Sequence, residues 1–173
     1  MFEDEFGFSF AEALAPTWAP RGRTPVLKRV GRFRRETSVV AALTLSGKLY
    51  HKHFSGAIDS QKVIAGLAHV GRHIQGHWIL VWDGSGTHTS KCTRAYLAAH
   101  PEIIVEPMPA YAPEVNPEEY CHGNIKQRLK NATPSTVAEI RQDIDRGFAR
   151  LRRRPDMLLG FIHQAGLVVK QLW

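Results

Sequence analysis

The chain has 173 residues and carries 23 Lys and Arg against 16 Asp and Glu, a formal charge of +7. That length suits one domain with a core of its own, and 43% apolar against 23% charged residues excludes a disordered chain. No run approaches the roughly 20 apolar residues of a membrane span, the acidic start Met1–Glu5 excludes a signal peptide, and Cys92 and Cys121 are too few for a disulfide scaffold. The expectation is a cytoplasmic protein with reduced thiols, whose basic balance favours a polyanion, nucleic acid foremost.

Residues 1–10 alternate, which puts Phe2, Asp4, Phe6, Phe8 and Phe10 on one face of a first strand and Glu3, Glu5 and Ser9 on the other. Residues 15–36 are rich in Pro, Gly and Arg and read as an excursion or loop. Thr37–Leu45 and Lys48–Phe54 flank Ser46-Gly47 and predict a hairpin. Asp59 caps a helix carrying Val63, Ile64, Leu67 and Val70, stopped near Gly71. His77–Trp82 is a continuous apolar run, the pattern of a central strand buried on both faces. A helix follows over 90–100, then a short buried strand Ile103–Val105 and a Pro-rich loop over 108–115. Asn116-Pro117 opens a helix running to about Lys130, and Thr133-Pro134 opens the last long one. There Val137, Ile140, Ile144, Phe148 and Leu151 form a core stripe. The expectation is a single mixed α/β domain over 1–173, with antiparallel strands first and parallel strands later.

Three carboxylates stand out. Asp83 ends the apolar run, and ligands of open α/β sheets collect at the carboxyl ends of strands; the alternative is a residue that serves only the turn. Asp4 stands between phenylalanines on a face that otherwise reads as core, where a carboxylate needs a metal ion or an Arg; on an exposed edge strand it needs neither. Glu119 fits the third position of a capping box on Asn116, the stronger reading from periodicity, while Glu118 reads as solvent-facing. Taken jointly, acids from a first strand, a strand end and a helix start can converge on a pair of divalent cations, and Mg²⁺ takes such oxygen donors together with waters and phosphates.

The segments Phe2-Glu3-Asp4-Glu5, Val81-Trp82-Asp83-Gly84 with His88, and the string from Pro109 to Glu119 resemble the catalytic domain of DDE transposases, more narrowly insertion-sequence enzymes of the mariner superfamily. The last segment is the most specific, since Pro109, Tyr111, Pro113, Asn116, Pro117 and Glu119 fit the family's Pro-x-Tyr-Ser-Pro-x-x-Asn-Pro-x-Glu string. The resemblance implies a ribonuclease-H-like fold, a mixed sheet flanked by helices, with Asp4, Asp83 and Glu119 as catalytic acids and ligands of two Mg²⁺ or Mn²⁺ ions. It implies metal-dependent phosphodiester cleavage and strand transfer of an insertion sequence, with terminal repeats and target DNA as partners. The 35 residues numbered 84–118 lie between Asp83 and Glu119, close to the family's spacing. Asp83-Gly84-Ser85 stands where the family has Asp-Asn-Ala, and His122 where a Trp is common; His88 is kept, as an orienting or substrate-contacting residue. The resemblance also implies a homodimer and an amino-terminal helix-turn-helix region. Nothing in the chain corresponds to that region, so the expectation is the catalytic half of a longer or split element, with an upstream DNA-binding half as partner. The rival expectations are a remnant that only binds DNA and a ribonuclease-H-like host nuclease.

The run from Arg21 to Arg35 includes Arg29, Arg32, Arg34 and Arg35 and is dense enough for phosphate contacts, against the alternative of a solvated loop. Lys126, Arg128 and Lys130 follow Glu119 on one helix and could flank a DNA backbone. Arg150 and Arg152 to Arg154 serve equally well to complement a helix dipole. Nine histidines invite a zinc reading, with His51 and His53 on one strand face, but no Cys or His partner falls at zinc-finger spacing. Trp18, Trp78, Trp82 and Trp173 read as core or interface residues rather than base-stacking platforms.

Overall fold

The protein is described from a computed structural model, which covers residues 1–10, 14–29 and 36–168. Its strands are β1 (Phe2–Phe8), β2 (Thr37–Leu43), β3 (Leu49–Ser55), β4 (Trp78–Trp82) and β5 (Ile103–Pro107). Its helices are α1 (Ser60–Gly71), α2 (Lys91–Ala98), α3 (Pro117–Leu129), α4 (Val137–Arg152) and α5 (Pro155–Gln164). The sheet runs β3-β2-β1-β4-β5; β1, β2 and β3 pair antiparallel, and β4 and β5 add in parallel. The hairpin turns over Thr44–Lys48, with Gly47 at φ 78°, a left-handed conformation that glycine adopts without a Cβ penalty. Among the described residues no helix is long and apolar enough to cross a membrane.

Among the described residues two cores form, one on each face of the sheet. Phe6, Phe8, Val39, Ala41 and Leu43 pack against α3, α4 and α5, where Ile140, Ile144, Phe148 and Leu151 form the expected stripe. Val63 and Leu67 of α1 meet Trp78, Leu80 and Trp82 of β4 on the other face. Gly66 lets α1 lie directly on β2, because a Cβ there would sit 2.5 Å from Val40 Cγ1.

Several boundaries differ from the sequence expectation. β1 is a central strand, not an edge, so Asp4 lies inside the sheet. β4 is buried on one face only: Ile79 is 50% exposed, and its partner Ile104 on the edge strand β5 is exposed as well, because the helices of that face stop at β1. α4 starts at Val137 rather than near Thr133, with Thr136 as its cap and Ser135 donating to Glu139. α5 has no counterpart in the sequence reading; Pro155 both ends α4 and opens it. Trp78 and Trp82 are core, whereas Trp18 is fully exposed, and Trp173 lies outside the described residues.

Candidate active site

The acids meet because of strand register. β1 and β4 pair in parallel at Phe2 and Val81, so Asp4 and Asp83, each two residues further on, emerge side by side. Glu119 arrives from the first turn of α3. All three line one cleft of about 390 Å³, to which residues 108–113 also contribute a wall.

Asn116 joins the helix start to the central strand. Its side-chain oxygen accepts from the Glu118 backbone N–H at 3.1 Å, capping α3. Its amide nitrogen donates to Asp4 Oδ2 at 3.0 Å, while Asp4 Oδ1 accepts from the Glu5 N–H at 2.7 Å. Glu119 does not close the expected capping box: its carboxylate Oε2 lies 2.7 Å from Nε2 of His122. His122 is buried, stacked on Phe6 with ring centroids 4.6 Å apart, and its Nε2 is 3.5 Å from Asp4 Oδ2.

Two further acids are buried beside the cleft. Glu3 is 1% exposed, and neither of its oxygens has a hydrogen-bond partner among the described residues. Burial first, then the charges of Glu5, Asp4, Glu118 and Asp83, push its pKa well above the usual carboxylate range. Glu118 is likewise unpartnered and, contrary to expectation, fully buried, so its pKa is also pushed well up by burial and by Asp4 and Glu119. Its position one residue before Glu119 turns it inward under the strand, a direction that periodicity assigns to the core stripe of α3.

His88 is 3% exposed and stacked flat on Trp82, with centroids 4.1 Å apart. It therefore offers no surface to DNA, correcting that part of the sequence reading. Its Nδ1 donates to the Asp83 carbonyl at 2.9 Å and lies 2.7 Å from Asp83 Oδ1, while Nε2 is 3.1 Å from Glu5 Oε1. Burial alone would depress its pKa, but the Glu5 bond and charge and the Asp83 contacts outweigh it, and the pKa is raised. The Asp83 carboxylate also accepts from the Ser85 N–H at 2.9 Å, so the turn role and the cleft position coexist.

The basic candidates divide. Lys126 stands two turns after Glu119 on the same side of α3, with its ammonium 5.8 Å from the Phe6 ring. Arg128, nine residues after Glu119, leaves α3 on the opposite side, and its charge helps lower the Arg150 pKa; Lys130 is the C-cap, a further turn away. Arg29 is half-buried, and Arg32, Arg34 and Arg35 lie outside the described residues. Residues 14–29 are tied to the end of α3 where Asn131 exchanges two 2.9 Å hydrogen bonds with Ala15. Arg152 serves the fold, donating to the Leu49 carbonyl and to His51 Nδ1, both at 2.7 Å. That contact leaves the His51 proton on Nε2, where it donates to Asp145 together with His53. The two histidines and Asp145 bring one donor atom each within 4.8 Å of one another, hydrogen-bonded through Nε2 as they stand, with no cysteine among them.

The donor set of the cleft is rich in oxygen and dense in like charge, which suits a divalent cation such as Mg²⁺ or Mn²⁺. The family model of the DDE superfamily endonucleases matches residues 1–141, and the chain belongs to that family. Among solved structures it is similar to the catalytic domain of Mos1 mariner transposase, with a TM-score of 0.62 at 16% identity over 98% of this chain and 83% of that one. It is similar also to the Mos1 mariner paired end complex with Mn, at TM-score 0.68 and 18% identity over 98% of this chain and 56% of that one. A Mos1 paired-end complex with left transposon end matches at TM-score 0.64 and 17% identity, over 96% and 55%. The chain thus spans little more than half of the Mos1 chains in those complexes. The likeness shows the fold, which is ribonuclease-H-like with the mixed sheet expected. A comparison with curated proteins finds no match.

Proposed function

We propose that the chain is the catalytic domain of a DNA transposase, cleaving and joining phosphodiesters with Asp4, Asp83 and Glu119 as its acids. The observation that carries this reading is the meeting of those three carboxylates in one cleft of a DDE endonuclease family member. Asp4 is the pivot, held by the Glu5 N–H and the Asn116 amide with one edge still facing the cleft. Asp83 is oriented by Ser85 and His88, and His88 is in turn held by Glu5. Glu119 is carried in by the capped start of α3.

Two divalent cations, Mg²⁺ or Mn²⁺, would supply activation of a water or 3′-hydroxyl and stabilisation of the departing oxygen. The chain's residues supply orientation: His88 keeps the Asp83 carboxylate turned to the cleft, and Lys126 offers a phosphate contact on the Glu119 side of α3. Arg29, Arg32, Arg34, Arg35 and Lys130 belong to the same proposal as contacts to the DNA backbone, and Arg128 as a contact away from the cleft. Transposon ends and target DNA are the proposed partners, a homodimer the proposed assembly, and the bacterial cytoplasm, at the nucleoid, the proposed location.

Nicking of supercoiled plasmid in Mg²⁺ or Mn²⁺ tests the reading. Removing a direct ligand in Asp83→Ala should cost more than the roughly 10–100-fold that losing an outer partner costs. Nicking retained in Asp83→Ala rejects the assignment. Joined strands among the products separate a transposase from a nuclease on the same fold.

A further inference from the structure

His122 follows Glu119 by three residues, so both side chains leave α3 on one side. The ring is 8% exposed and its plane is set by the Phe6 stack. Its Nε2 is 2.7 Å from Glu119 Oε2 and 3.5 Å from Asp4 Oδ2, and the donor atoms of the three residues lie within 4.8 Å of one another. Yet neither ring nitrogen has a hydrogen-bond partner among the described residues; the Glu119 oxygen is close but out of line. A buried imidazole nitrogen between two carboxylates, with no bond made to either, is a polar group whose partner is missing. Two carboxylate oxygens and one imidazole nitrogen, all converging, form a set of ligand atoms rather than a hydrogen-bonded pair.

We propose that His122 is a nitrogen ligand, together with Asp4 and Glu119, to one divalent cation of this cleft, and that it shifts the cleft's preference from Mg²⁺ toward Mn²⁺, Co²⁺ and Zn²⁺. The inference rests on the acidic cleft being a cation site. Carboxylates alone favour hard cations that keep their water, whereas an imidazole nitrogen gains strength along the first-row series. Asp83 lies outside this group of three, so the nitrogen marks one side of the cleft and not the other.

Mn²⁺ added to the full chain, without DNA, is the probe, read by pulsed electron paramagnetic resonance for coupling to nitrogen. The expected result is bound Mn²⁺ with a nitrogen coupling in the wild type, lost in His122→Phe while Mn²⁺ stays bound through the carboxylates. Phe keeps the stack on Phe6, and circular dichroism checks the fold. Co²⁺ affinity should drop roughly tenfold in His122→Phe while Mg²⁺ affinity stays within about twofold. Bound Mn²⁺ without nitrogen coupling in the wild type, or a coupling that survives in His122→Phe, overturns the inference and leaves the cation site standing. Mn²⁺ binding that is absent, or unchanged in Asp4→Asn, overturns the cation site and the inference with it. Should His122→Phe fail to fold, wild-type protein carrying ¹⁵N-histidine is read beside His51→Gln: a coupling that does not change isotope, or one that is lost in His51→Gln, is not from His122 and sinks the proposal.

Discussion

Glu118 and Glu119 are neighbours in the chain with opposite surroundings, one sealed under β1 and one open to the cleft. A carboxyl with a raised folded pKa contributes its stability below the usual 4.5 and loses it as pH rises through the folded value. Glu118→Gln keeps the shape and removes the ionisation. In chelator it should therefore leave the urea midpoint nearly unchanged at pH 4 and raise stability by about 1 kcal/mol at pH 8. A loss at pH 8 would mean that the carboxylate is charged and used. His51 works with the opposite sign. Burial above all, with the charges of Arg152 and His53, pushes its pKa down to about 4 from 6.5, against the pull of the Asp145 bond. The folded protein therefore holds fewer protons on it than the unfolded chain, and stability falls as pH drops from 6.5 to about 4 and levels off below. Urea midpoints across that window should show the slope in the wild type and a shallower one in His51→Gln.

At the scale of elements, two contacts decide how helices meet the sheet. A Cβ on Gly66 would strike Val40 at 2.5 Å, in the middle of a strand buried along its whole length. Gly66→Ala gains helix propensity but must push α1 off β2, so the overpacking should win and destabilise by about 1–3 kcal/mol. A rise in melting temperature would refute that close approach. Asn116 ties α3 to Asp4 as well as capping it. Asn116→Ala should lose the roughly 0.5–2 kcal/mol of a cap and, unlike other cap losses, also weaken Mn²⁺ binding. Asp59→Ala, a cap loss on α1, a helix that carries none of the acids, is the control, since it should lower stability and leave Mn²⁺ affinity alone.

For the whole molecule, a charge of +7 around an acidic cleft would make the proposed binding of DNA a matter of counterion release. Log affinity should fall linearly with log salt, and Lys126→Ala should reduce the magnitude of that slope by about 1 across unrelated sequences. A slope unchanged in Lys126→Ala removes it from the phosphate contacts. Arg152→Ala, by contrast, should act on stability through the Leu49 and His51 contacts rather than on the slope.

Much of this architecture was legible in the chain itself because it rests on local physics. The alternation of residues 1–10, the hairpin around Gly47, the Asp59 cap and the stripe from Ile140 to Leu151 each report a period or a cap that neighbours along the chain are enough to specify. The string from Pro109 to Glu119 is legible for a related reason, its residue types being spaced along one segment, and with the segments around Asp4 and Asp83 it carried the resemblance that implied the three acids. Tertiary structure decided the rest, since burial of a single polar side chain depends on what packs over it. Only the parallel pairing of β1 and β4 sets Asp4 beside Asp83, and only the close seat of α3 on β1 turns Glu118 inward and brings the neighbouring Glu119 and His122 of one helix face against Asp4. The half-exposed β4 and β5 show the same limit, because an apolar run states a preference for burial, while the reach of the covering helices determines whether both faces receive it.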